Sequence, residues 1–193
     1  MTAPKLLAFA GSTRTESFNK KLIRVAAAAA REAGAEVTLI DLRDLKLPLY
    51  HQDDEEALCL PPRALNLKEL MGTHDGLLIS APEYNSSLPA VLKNAIDWAS
   101  RKATPDEPAL QSFTGKVAGL MSASPGALGG LRGLVHLRAI LSNIKVLVLP
   151  QQMAISKAHE AFAEDGTLKD PKQQAAIAGI AEGLANTLRK LSS

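Results

Sequence analysis

The sequence predicts an α/β protein built on one open, parallel, five-stranded sheet with helices on both faces. Three observations lead there. Five short apolar runs alternate with helical stretches along the chain, the pattern of successive β-α units. The first run is apolar throughout rather than alternating, as expected when both faces of a strand are covered. Hydroxyl- or glycine-rich turns follow the first, third and fourth runs, and in such a sheet those turns gather at one edge.

The elements follow in order. Residues 5–10 form the first strand, and residues 20–33 a helix with Leu22, Ile23, Ala26, Ala27, Ala30 and Ala33 at helical spacing. Gly34 is its stop signal. Residues 37–40 form the second strand. Residues 42–63 read as irregular, because Pro48, Pro61 and Pro62 interrupt any helix, and the run 53–56 reads as a solvated acidic patch. A helix over 63–71 leads to the third strand, 76–80. Pro89 stands near the first position of the next helix, whose apolar face carries Leu88, Val91, Leu92, Ala95, Trp98 and Ala99. Strand four is 116–121, a helix runs over 131–141, and strand five is 145–149. Residues 150–170 read as irregular with a turn at Asp165 and Gly166. The last helix begins near Pro171, with Ile177, Ile180, Ala181, Leu184, Leu188 and Leu191 as its apolar stripe. With no internal repeat or linker, the expectation is a single domain, 1–193.

The totals narrow the function classes. The chain has 193 residues, a net charge of +2, 46% hydrophobic residues and 22% charged residues, ordinary values for a soluble domain. Lys and Arg are scattered, so nucleic acid and membrane surfaces are not expected partners. Cys59 is the only cysteine, which excludes an internal disulfide and a thiolate zinc site. His51, His74 and His159 have no neighbouring His or Cys at metal-ligand spacing, and no metal is expected. The N-terminus reads as a strand start rather than a charged n-region and long apolar h-region, so no signal peptide is expected, and no apolar run approaches the ~18 residues of a membrane span. A cytoplasmic protein is the expectation.

The chemistry lies in the three turns. With strand order 2-1-3-4-5, a ligand site falls between strands one and three, where the order reverses. The first turn, 11–19, supplies Ser12, Thr13, Arg14, Thr15, Ser17 and Asn19 ahead of a helix start. Hydroxyls, an amide, a guanidinium and the free N–H groups of the helix suit a phosphate monoester. No G-x-G-x-x-G motif follows this strand, and the chain has no P-loop, so side chains rather than a glycine cradle would hold the anion. The second turn, 81–87, offers Pro82 as a rigid corner, Tyr84 as an aromatic face, and main-chain groups around Glu83 and Asn85. Glu83 reads as a loop carboxylate rather than a catalytic acid. The third, 122–130, is small and glycine-rich, which suits close approach to a planar ligand. A flat heteroaromatic ring on a phosphorylated tail, flavin mononucleotide (FMN), fits all three. No nucleophile elbow or side-chain acid–base pair is evident, so a bound cofactor would carry the chemistry and no catalytic residue is expected.

The sequence resembles the NADPH-dependent FMN reductase family, closest to its quinone and chromate reductase branch. The pattern G-S-x-R-x-x-S-x-N is met by Gly11, Ser12, Arg14, Ser17 and Asn19. P-E-Y-N stands as Pro82, Glu83, Tyr84 and Asn85, followed by L-K-N-A-I-D-W from Leu92 to Trp98. Ser124, Gly126, Gly129, Gly130 and Arg132 match the third turn, and His136, Leu137 and Arg138 continue it. The resemblance implies a flavodoxin-like three-layer sandwich with non-covalent FMN. Ser12, Thr13, Arg14, Thr15, Ser17, Phe18 and Asn19 would hold its phosphate and ribityl tail. Pro82, Glu83, Tyr84 and Asn85 would lie along the isoalloxazine, and Ser124 near its polar end. It further implies hydride transfer from NADPH or NADH to flavin N5, ping-pong delivery to a quinone, azo, nitro, flavin or metal-oxyanion acceptor, and a homodimer or homotetramer. The chain departs from close relatives at Ser86 and Val135, where they often carry Tyr, and at Gln152, where they often carry Glu. A flavodoxin-type electron carrier is an alternative, but such carriers are usually strongly acidic. A non-enzymatic flavin-binding sensor is another, and rapid flavin reduction by NAD(P)H separates both from a reductase.

Overall fold

The computed structural model describes residues 2–192. Its five strands are β1 (Lys5–Ala10), β2 (Glu36–Asp41), β3 (Gly76–Ser80), β4 (Val117–Ala123) and β5 (Leu147–Ile155). They pair in parallel in the order β2-β1-β3-β4-β5, the topology expected from the sequence.

Strand alternation sends side chains into two cores. Leu6, Ala8 and Ala10 of β1 face one side with α1 (Phe18–Glu32) and α8 (Pro171–Leu191). Leu7 and Phe9 face the other, against α4 (Pro62–Gly72), α5 (Ala90–Ser100) and α6 (Leu131–Asn143). Helix α1 turns an alanine-rich face inward, with Ala26, Ala27 and Ala30 fully buried. Small side chains there let α1 lie close to the sheet and to Ala181 and Ala185 of α8, which belong to the same core.

The structure departs from the sequence reading at four places. Helix α1 begins two residues earlier, because the Ser17 hydroxyl caps it by accepting the Lys20 N–H. The 42–63 stretch holds two short helices, α2 (Leu42–Leu45), capped by the Asp41 carboxylate, and α3 (Gln52–Leu58). Within the acidic run, Glu55 is not solvated: it accepts from Arg101 Nε at 2.8 Å and from the Tyr50 hydroxyl at 2.9 Å. Tyr50 meets Trp98 edge-on at 5.1 Å, and Trp98 Nε1 donates to the Pro48 carbonyl at 2.8 Å. These contacts fold the segment onto α5. Finally, β5 continues past Pro150, and the short α7 (Ala158–Ala161) follows it. Pairing with β4 slips from Ala118↔Val148 to Leu120↔Gln152, a bulge that accommodates the proline on an edge strand.

Among the described residues, no helix is long and apolar enough to cross a membrane.

Candidate functional site

The first turn begins with a close approach. A Cβ on Gly11 would lie 2.9 Å from Leu92 Cδ2, and the Gly11 N–H donates to the Ser80 carbonyl at 2.9 Å. The chain then leaves β1 beside β3, at the place where the strand order reverses. Ser12, Ser17 and Asn19 are buried.

Several hydroxyls of the site share one arrangement. Ser12 Oγ accepts the Arg14 N–H and Ser17 Oγ the Lys20 N–H, both at 3.4 Å. Thr15 Oγ1 accepts from Arg43 at 2.9 Å, and Ser124 Oγ accepts the Gly126 N–H at 3.3 Å. A hydroxyl has a single hydrogen, and in each case the protein uses only the oxygen. Each therefore keeps its hydrogen to donate, which suits an anion carrying no protons of its own. Arg14 lies above Phe18, its guanidinium carbon 5.3 Å from the ring centroid, and donates to the Glu16 carbonyl from Nε at 3.0 Å. Phe18 stacks in parallel on Phe162 at 6.3 Å.

Asn19 is engaged differently. Its Nδ2 donates to the Ala123 carbonyl at 2.8 Å, while Oδ1 accepts from the Ala123 N–H at 3.0 Å and from the Ser80 hydroxyl at 2.9 Å. One side chain thus ties the start of α1 to the ends of β3 and β4.

The second turn is a tight hairpin. Tyr84 and Ser87 exchange both backbone hydrogen bonds, at 2.9 and 3.0 Å. Between them Asn85 and Ser86 both have positive φ, 49° and 68°, the mark of a type I′ turn. Tyr84 is left 56% exposed. Glu83 points into the protein. Its Oε2 accepts the N–H groups of Arg132 and Gly133 at 3.0 and 3.3 Å, and Oε1 accepts from Arg132 Nε at 2.8 Å. It caps α6 and pairs with that helix's first cation. The Arg132 bond, against some opposition from burial, holds its carboxyl below the usual carboxylate range. A carboxylate so committed is no proton donor near neutral pH.

The third turn owes two of its glycines to packing. A Cβ on Gly129 would fall within 2.8 Å of the β5 backbone, and one on Gly130 would strike Ser122 Oγ; both have positive φ. Their role is to seat this turn on β4 and β5, whereas the sequence reading took them for ligand approach.

Together the turns border an open groove. Ser12, Arg14, Ser17, Phe18 and Asn19 form one wall, Pro82, Glu83 and Tyr84 a second, and Ala123, Ser124 and Pro125 the third. Of the residues singled out from sequence, Thr13, Thr15 and Asn85 lie outside this lining. Two contributors escaped the sequence reading. Arg43, on α2, donates to the Thr13 carbonyl and the Thr15 hydroxyl. Phe162, in the 150–170 stretch, backs Phe18. The position of Arg43 just past β2, beside β1, was the available signal. Among the described residues no cluster of His, Cys, Asp or Glu could hold a metal ion.

A doubly wound sheet with unspent hydroxyl donors at its switch point is the architecture in which open α/β folds place their ligand crevice. Comparison with known proteins makes this specific. Residues 4–160 match the family described as NADPH-dependent FMN reductase. An NAD(P)H-dependent FMN reductase of Pseudomonas aeruginosa is 37% identical over 188 residues, covering 97% of this chain and 96% of that protein. A 2-hydroxy-1,4-benzoquinone reductase of a Burkholderia species is 36% identical over 160 residues, 82% of this chain and 81% of the relative. Among solved structures, the flavoenzyme NAD(P)H:(acceptor) oxidoreductase FerB of Paracoccus denitrificans superposes with a TM-score of 0.82 at 28% identity, over 97% of this chain and 98% of that one. The chain belongs to the NADPH-dependent FMN reductase family. It is a flavodoxin-like oxidoreductase that uses FMN and NAD(P)H.

Proposed function

We propose that this protein reduces quinones, with FMN lodged in the groove between the three turns. The observation that carries the reading is the state of the hydroxyls: Ser12, Ser17 and Ser124 line the groove, each accepting one backbone N–H and keeping its hydrogen to give. FMN, when bound, takes up a hydride from reduced nicotinamide and hands the electrons on. The chain's part is to bind and orient. Ser12, Thr13, Arg14, Thr15, Ser17 and the α1 N-terminus would hold the phosphate and ribityl tail, with Phe18 supporting Arg14 from below. Asn19 would fix the wall from behind, its amide being spent on β3 and β4. Pro82, Glu83, Tyr84 and Asn85 would border the ring, with the exposed Tyr84 offering its aromatic face. Ser124 would donate at the ring's polar end. Glu83 would not move a proton, since both its oxygens hold α6.

A quinone acceptor is supported by relatives named for quinone reduction, among them a quinone reductase of Escherichia coli that is 37% identical over 142 residues, 72% of this chain and 70% of the relative. We propose further that residues 1–193 act as one domain, that the protein is a homodimer or homotetramer, and that it works in the cytoplasm.

The test is an anaerobic absorbance spectrum of FMN-reconstituted protein before and after NADPH, followed by addition of a benzoquinone. Flavin absorbance that bleaches within seconds and returns with the quinone is the expected result. Bleaching that the quinone does not reverse would leave a reductase with a different acceptor. If no flavin is retained, the groove assignment fails.

A further inference from the structure

Arg43 belongs to neither the sequence motifs nor the groove lining, yet it is bonded to the first turn more fully than any residue of the other two. Its Nε donates to the Thr13 carbonyl at 2.7 Å, and its terminal nitrogen donates to the same carbonyl and, at 2.9 Å, to Thr15 Oγ1. The Arg43 backbone N–H donates to Asp41 Oδ1 at 2.9 Å. The other oxygen of Asp41 meets Lys20 Nζ at 2.5 Å, and the Lys20 N–H returns to Ser17 Oγ. A closed circuit therefore joins the turn and the first turn of α1 to the end of β2.

We propose that Arg43 is the positioning residue of the phosphate loop, holding its shape for a phosphate monoester and thereby setting the preference for phosphorylated over unphosphorylated flavin. The inference rests on the placement of the FMN phosphate at this turn. Two consequences of the bonding support it. The Thr13 carbonyl is neutralised by a guanidinium, so a negative dipole that would oppose an anion is tied off. The Thr15 oxygen accepts from a charged donor, which polarises the hydroxyl and strengthens its unspent hydrogen as a donor. Arg suits the task because its planar fork serves two acceptors at once; a Lys ammonium would serve one at a time. Lys20 is already engaged by Asp41, so the second cation of the circuit cannot substitute.

The experiment is a pair of equilibrium titrations of apoprotein, one with FMN and one with riboflavin, on wild type, Arg43→Gln and Arg43→Lys. Arg43→Gln should weaken FMN about tenfold and leave riboflavin within about twofold, and Arg43→Lys should recover part of the loss. Equal weakening of both ligands would make Arg43 a general support of the fold and overturn the proposal, as would unchanged FMN affinity. Thr15→Val supplies an independent check: in that background Arg43→Gln should cost less than it does alone, whereas full additivity would overturn action through the loop. Should wild-type protein bind FMN no better than riboflavin, the phosphate placement itself fails, an outcome visible before any variant is compared.

Discussion

The first and second turns line the same groove and look equally polar in sequence, but they spend their hydrogen bonds in opposite ways. In the first, Ser12, Thr15 and Ser17 receive bonds from the protein and keep their hydrogens. In the second, Glu83 is consumed at the start of α6, and Tyr84 to Ser87 close on themselves. The first turn is built to receive something, the second to brace. The lesson is that a polar residue at a groove is a ligand candidate only when its bonding capacity is unspent.

Substitutions can break or sharpen this contrast. The largest effect is expected at Asn19, the one residue of the first stretch that braces. Asn19→Ala leaves the Ser80 hydroxyl and both polar groups of Ala123 without their partner in a buried site. It should cost about 2–4 kcal/mol of stability, read as a fall in the chemical denaturation midpoint. Arg14→Ala should do the reverse, losing about 1.5–3 kcal/mol, roughly ten- to hundredfold, in FMN affinity while the midpoint holds. A variant with wild-type affinity would remove Arg14 from the phosphate site.

Glu83→Ala should cost about 1–2 kcal/mol through the lost α6 cap, with FMN affinity little changed. Its pH dependence carries a defined sign. The folded carboxyl is held below its ordinary range, chiefly by Arg132. The contribution is thus full above the pKa of an unfolded glutamate and disappears as pH falls through the depressed folded value. Midpoints measured down an acid series should show wild type and Glu83→Gln converging at the low end; a constant gap would contradict the assignment. The smallest effect is a gain. Ser86 sits at φ 68°, where glycine is unstrained, so Ser86→Gly should add about 0.5–1 kcal/mol and leave flavin binding alone.

The sequence carried the fold well because its three central strands are covered on both faces. Leu6 to Ala10, Leu77 to Ser80 and Val117 to Ala123 had to be apolar or small throughout. It carried the three turns because topology forces them to one edge. It did not show how their polar groups are spent, since that depends on partners far along the chain: Glu83 finds Arg132, Asn19 finds Ala123, Thr13 finds Arg43. Glu55 looked solvated for the same reason, its partner Arg101 lying 46 residues away. The extent of β5 was hidden by Pro150, which reads as a stop in any strand that must donate on both sides.

That proline has a wider meaning. As the last strand in the sheet, β5 presents nine residues with no strand beyond them among those described. A flat edge of that length is a template on which another chain's strand can lay itself down, and repetition of the step builds fibrils. Pro150 removes one donor from the edge and the bulge around it breaks the regular spacing, so an incoming strand meets two short, mismatched stretches instead of a continuous ladder. The irregularity that shortens the strand to a reader of the sequence also leaves the edge a poor template for a second chain.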